Sequence, residues 1–176
     1  MSTAANRLQR VATWITALNS RVGEWVSWLT LAMVAGYFAV VVMRYLFSAG
    51  SIALQESVTY MHAMVFMLAA AWTLAREGHV RVDIFYSRWG TRGKDWADLA
   101  GSLLFLLPVA LFILAMSVGF VGESWRMRET SAEPGGLSYV YLLKSLILVM
   151  SAQLVLQALA QAVIIAGRLS ATVQSE

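Results

Sequence analysis

The sequence predicts an all-α integral membrane protein with four transmembrane helices, two further amphipathic helices lying in the membrane interface, and both termini in the cytoplasm. Three observations carry the prediction. Apolar residues make up 59% of the 176-residue chain and charged residues 13%, about half the charged share of a soluble domain. Four long stretches hold no charge. The Lys and Arg residues between those stretches are divided unequally between the two sides.

In chain order, 19 uncharged residues lie between Glu24 and Arg44, 19 between Glu56 and Arg76, 24 between Asp98 and Glu123, and 23 between Lys144 and Arg168. A helix rises 1.5 Å per residue, so about 20 residues cross a hydrocarbon core ~30 Å thick. One charge at the centre of such a helix would cost about 2.5–3.5 kcal/mol. Spans are therefore expected at about 25–45, 57–75, 98–122 and 140–167, within one membrane domain, 1–176. Trp25, Trp28, Tyr45, Tyr60, Trp72, Trp96, Trp125, Tyr139 and Tyr141 fall near the ends of these spans, where an aromatic ring keeps one edge wet.

Orientation follows from the cations. Arg7, Arg10, Arg21, Arg76, Arg81, Arg88, Arg92, Lys94 and Arg168 lie on one side, nine in all; Arg44, Arg126, Arg128 and Lys144 lie on the other. The positive-inside rule places the larger set, both termini and the 76–98 loop in the cytoplasm. Residues 1–21 lack the unbroken apolar core of a signal peptide, so the first hydrophobic helix is expected to direct insertion.

The two interfacial helices are expected at about 5–20 and 80–95. Val11, Ile15, Leu18 and Val22 form an apolar stripe in the first. Val82, Phe85, Tyr86 and Trp89 form one in the second, with Arg81, Arg88, Arg92 and Asp95 opposite. Such helices lie in the interface or pack on the bundle.

Composition also excludes chemistry. With no cysteine there is no disulfide, zinc–thiolate site, iron–sulfur cluster or cysteine nucleophile. The net charge of +3 suits loops facing anionic membrane lipid, and no basic run with interleaved aromatics argues for nucleic acid. Gly90-Thr-Arg-Gly-Lys94 is too short for a phosphate loop and continues with Asp95 where Ser or Thr is needed. No catalytic triad is present.

Several residues remain as candidates. Glu56, at the start of the second span, is a carboxylate on a helix dipole, a partner contact, or a pair for Arg44 across the first loop; a coupling site would lie nearer the midplane. His62 and His79 are 17 residues apart on one helix, about 25 Å, and cannot ligate one haem within a chain. His79 and Asp83 at i, i+4 suit a metal or an interfacial hydrogen bond. Gln153, Gln157 and Gln161 form a stripe on the fourth span that must face protein, this bundle or another. Pro108 is expected to kink the third span. Glu133-Pro134-Gly135-Gly136 predicts a tight turn, with Pro second and a positive-φ Gly third. Glu129 and Glu133 belong to a mixed-charge outer loop, either solvated or a docking surface. No cofactor or metal is expected, and four spans without a charged midplane site read as an accessory or scaffold subunit.

Motifs point the same way. Arg76-Glu-Gly-His-Val-Arg-Val-Asp-Ile-Phe-Tyr86, preceded by Glu56-Ser57 and Tyr60, and then Ser124-Trp125, Glu129-Thr-Ser131, Glu133-Pro-Gly-Gly-Leu137, Leu143-Lys144-Ser145 and Leu156-Gln157, resemble the small membrane subunit of tripartite ATP-independent periplasmic (TRAP) transporters. The similarity runs from about residue 40 to 160. It implies a non-catalytic permease subunit in the bacterial inner membrane. It also implies partners: a large membrane subunit that moves the solute with an ion gradient, and a periplasmic solute-binding protein. The solute class it implies is an organic acid. Arg44, Glu56, Glu129, Glu133, Pro134, Gly135 and Gly136 are the expected outer contacts; His79, Arg81 and Asp83 are expected to organise the inner interface. The rival is a haem-bearing membrane anchor of a respiratory enzyme, with His62 as ligand.

Overall fold

A computed structural model describes residues 3–76, 78 and 86–173. Every regular element among them is helical: α1 Thr3–Leu46, α2 Ile52–Leu68, α3 Ala70–Ala75, α4 Thr91–Gly101, α5 Leu107–Met127 and α6 Val140–Val173, with a wide helical turn, Ser102–Leu106, joining α4 to α5. Four continuous rods result, each long and apolar enough to cross a membrane: Asn6–Leu46, Ile52–Ala75, Thr91–Met127 and Val140–Ser170. The end carrying the connections around 47–51 and 128–139 is called the outer end here, after the charge asymmetry.

Two sequence expectations meet a different geometry. The interfacial helix expected at 5–20 and the span expected at 25–45 are one unbroken helix of 44 residues, about 66 Å long. Nothing in 21–24 interrupts it. Gly23 serves packing there, because the Trp72 indole occupies the space that a side chain at 23 would need. In the region expected as a second interfacial helix, residues 91–95 belong to α4 and run straight into the third span. His79, Arg81 and Asp83, with Val82 and Phe85 of the apolar stripe, lie outside the described residues.

The packing logic is that of a bilayer. Most buried positions are small or polar, including Ala12, Asn19, Ala71, Ser102, Ala110, Ser124, Ser151, Ala158 and Ala160, beside Val58, Val121, Ile165 and Leu169, while Val11, Leu18, Phe38, Phe105 and Phe112 face outward. Lipid tails are as apolar as Leu, so close backbone approach favours small residues at helix contacts. The stripe Val11–Ile15–Leu18–Val22 is consequently not the packed face of α1. The Ala12, Thr16, Asn19, Gly23 side faces inward instead, with Ala12 2% and Asn19 3% exposed against 56% for Val11. α6 packs against α1, α2, α3 and α5 and so forms the axis of the bundle.

Pro108 stands just after the wide helical turn Ser102–Leu106. Its ring displaces the preceding turn and it brings no N–H. The chain answers with a π turn in which the Leu107 N–H donates to the Ser102 carbonyl five residues back. Two helix ends use left-handed residues other than glycine: Ser48 at φ 50° after α1 and Arg128 at φ 46° after α5. At the second, the Glu129 N–H returns to the Ser124 carbonyl (3.0 Å) and the Arg128 N–H to the Trp125 carbonyl (3.2 Å), the Schellman pattern.

Candidate functional site

The outer loop between α5 and α6 is folded back onto three helices, and Glu56 is its main anchor. α2 starts at Ile52, capped by the Ser51 hydroxyl, which accepts from the Leu54 N–H at 3.3 Å. Glu56 therefore sits a full turn inside the helix and not at its dipole end. One carboxylate oxygen accepts from the Ser131 hydroxyl, and the other accepts from the Leu137 N–H at 2.6 Å. Ser131 and Leu137 are themselves joined by a backbone bond, Ser131 N–H to Leu137 carbonyl, at 2.9 Å. Arg44 is not the partner of Glu56.

The turn sits inside this clamp. The Gly136 N–H donates to the Glu133 carbonyl at 3.0 Å, and Gly135 has φ 81°. That is a type II turn with Pro134 second and Gly135 third, as the spacing predicts. Gly136 has a separate reason to be glycine. A Cβ there would stand 2.5 Å from the Ser131 hydroxyl and 2.8 Å from a Glu56 oxygen, so a side chain at 136 would force the clamp open.

A second anchor holds the start of the loop. The Glu129 carboxylate accepts from the Ser124 hydroxyl at 2.6 Å and from the Lys144 ammonium at 2.5 Å. These two bonds, the Lys144 bond foremost, hold the Glu129 carboxyl below its usual range. Lys144 also lies over the Phe120 ring, 4.1 Å from its centroid. Beside it, the Trp125 indole N–H donates to the Ser145 hydroxyl at 2.7 Å, and its ring meets Tyr141 edge-on at 4.8 Å. Glu56, Ser124, Trp125, Glu129, Ser131, Leu137, Lys144 and Ser145, scattered along the chain, thus form one cap.

A family-model comparison recognises the same chain. Residues 33–167 match the model described as tripartite ATP-independent periplasmic transporters, DctQ component. The chain belongs to this family. It is the small permease component of a TRAP transporter, a multi-pass membrane subunit without catalytic activity. No curated protein matches the chain, and no solved structure matches it either.

The expected site residues divide within this DctQ-type fold. Glu56 and Glu129 are committed to intramolecular bonds, whereas Glu133, Pro134 and Gly135 are exposed at the tip of the cap. Arg44 is exposed at the outer end of α1. The glutamine stripe turns inward. Gln157 is 2% exposed and accepts from the Asn19 amide at 2.9 Å, while its own amide donates to the Thr16 hydroxyl at 3.3 Å. Gln153 and Gln161 each keep a buried amide oxygen without a partner among the described residues. Asn19 was not singled out in the sequence, yet its signal was present: a polar amide in register with Ala12, Thr16 and Gly23. At the inner end, Glu24–Arg76 (2.9 Å) and Asp95–Arg168 (2.6 Å) tie neighbouring helices together. The exposed Glu24–Arg76 pair contributes about 0–1 kcal/mol, and Asp95 is half-buried in the other.

Proposed function

We propose that this chain is the fixed brace of its transporter, in the bacterial inner membrane with both termini in the cytoplasm. It holds the large, solute-moving membrane subunit and presents its outer cap to a periplasmic binding protein that delivers an organic acid. The observation that carries the reading is the cap itself. Bonds from α2, α5 and α6 immobilise the loop through Glu56, Ser124 and Lys144 and leave Glu133-Pro134-Gly135 projecting from it. A loop that merely joined two helices would not need three anchors.

The absence of Asp, Glu, Lys and Arg from the four runs supports the non-transporting half of the proposal, because coupling sites gather charged or broken-helix groups near the midplane and His62 is the one imidazole within the runs. Exposed charges such as Glu133 suit a partner that must leave in every cycle: they steer encounter and add little residence. Vesicles containing the large subunit, this chain and the binding protein should accumulate solute, and vesicles lacking any one should not. Uptake by this chain alone would end the bracing reading. For docking, Glu133→Lys should lower uptake at limiting binding protein, more strongly at low salt. An equal loss at saturating binding protein would show that the cap does something other than dock.

A further inference from the structure

Tyr37, Thr59 and His62, three polar side chains that this chain leaves uncovered at membrane depth, line one groove between the outer halves of α1 and α2. Two adjoining hollows of about 370 and 450 Å³ form it, with Tyr37, Val58 and Thr59 common to both. Arg44 and Gln55 line the outer hollow and His62 the inner one. Val58 is the floor, brought close to α1 because Gly36 has no side chain; a Cβ there would stand 3.0 Å from Val58. His62 is ten residues into a helix that starts at Ile52, about 15 Å from its outer end and so near the middle of a ~30 Å core. It is exposed there and makes no hydrogen bond among the described residues. The Tyr37 ring is 64% exposed in the same groove. Arg44 stands at the outer mouth, exposed and without an ion pair among the described residues.

Lipid headgroups can satisfy Arg44, but acyl chains offer nothing to an imidazole at mid-depth. Gln157 of the glutamine stripe is turned inward and bonded to Asn19 and Thr16, and the amide oxygens of Gln153 and Gln161 are buried. The geometry points to the α1/α2 groove as the seat of one transmembrane helix of the large transport subunit. That helix would present a hydrogen-bonding group opposite His62 and a carboxylate near Arg44. This assignment rests on the bracing function proposed above and adds to it the face that is used.

The chain has no cysteine, which makes the test direct. Val34→Cys, Thr59→Cys and His62→Cys sample the groove. Phe112→Cys and Met116→Cys sample outward positions on α5, a helix not packed on α1 or α2. Each variant is first copurified with the tagged large subunit, then labelled in membranes with a thiol-directed benzophenone and irradiated. The expected result is a covalent adduct with the large subunit at 34, 59 and 62, and none at 112 or 116. Adducts with the large subunit at 112 and 116 alone would overturn the groove assignment and leave the bracing function standing. Adducts between two copies of this chain in the groove would overturn it in favour of a homodimer, and labelling of lipid alone would overturn it in favour of an open face. Failure of the cysteine-free chain to copurify with the large subunit would sink the bracing function, and the groove assignment with it.

Discussion

Asn19 and Gln157 form a buried amide pair, and replacing them tests whether α1 and α6 are keyed together at one depth. Asn19→Leu and Gln157→Met keep the shapes and remove the polarity. In Asn19→Leu the Gln157 carbonyl loses its 2.9 Å donor, although the Gln157 amide keeps Thr16. A buried acceptor left without a partner costs about 1–3 kcal/mol, a shift of roughly 5- to 150-fold in the folding equilibrium. Gln157→Met removes partners from both Asn19 and Thr16 and should lie toward the upper end. The double variant should be less destabilised than the sum of the singles, by about 0.6 kcal/mol and at most about 1.7 kcal/mol, the average and the maximum measured for helix–helix hydrogen bonds in a membrane protein. The assay is reversible unfolding of the purified chain in mixed micelles, followed by far-UV circular dichroism, as a complete double-mutant cycle. Strict additivity would refute the keyed pair. So would a Gln157→Met variant as stable as the parent, since it would mean that the inner face of α1 is held by shape alone.

Gly136→Ala should disorder the cap more than Gly135→Ala. The first drives a Cβ into Ser131 and Glu56, while the second only places alanine at φ 81°, about 1–2 kcal/mol; protease sensitivity of the 128–139 loop ranks them, and the reverse order would contradict the clamp. The cap should also respond to acid. The Glu129 carboxyl is held below its usual range by Lys144 and Ser124, so its contribution is present above the ordinary carboxylate value of about 4.3 and is lost as pH falls through the lower folded value. Trp125 fluorescence should report that transition, and Lys144→Gln should move it upward; a transition unmoved by Lys144→Gln would separate it from Glu129. Ala132→Cys should react with an impermeant thiol reagent only from the periplasm, and reaction from the cytoplasm alone would invert the topology.

The four spans were legible because burial in lipid is a statement about charge, and the charges stand at the boundaries. The cap turn was legible because Pro followed by Gly suits its second and third positions. The glutamine stripe was legible as needing protein, but not which protein, because its partner Asn19 lies 138 residues away in sequence. The helix ends at Ser48 and Arg128 gave no warning, since neither residue type marks a left-handed cap. The apolar stripe of α1 left open whether it meets lipid or the bundle: in a bilayer the large apolar side chains look outward, and the buried side is marked instead by Ala12, Asn19 and Gly23. The clamp at Glu56 was hidden because its two acceptor bonds go to Ser131 and to a backbone N–H, and backbone groups have no sequence signature.

The π turn at 102–106 also sets the angular phase of the third rod. It inserts one residue where an α-helix would have none, which rotates everything on its inner side by about 100° relative to everything on its outer side. Asp95, bonded to Arg168 at 2.6 Å, and Asp98, bonded to the Tyr86 hydroxyl at 2.8 Å, lie on one side of that offset. Ser124 and Trp125, which meet Glu129 and Ser145, lie on the other. No single helical wheel drawn through 91–127 can place both sets against the bundle. The rod works as two wheels on one axle, clocked against each other, and removing a single residue at the join would leave both halves helical with only one still facing its partners.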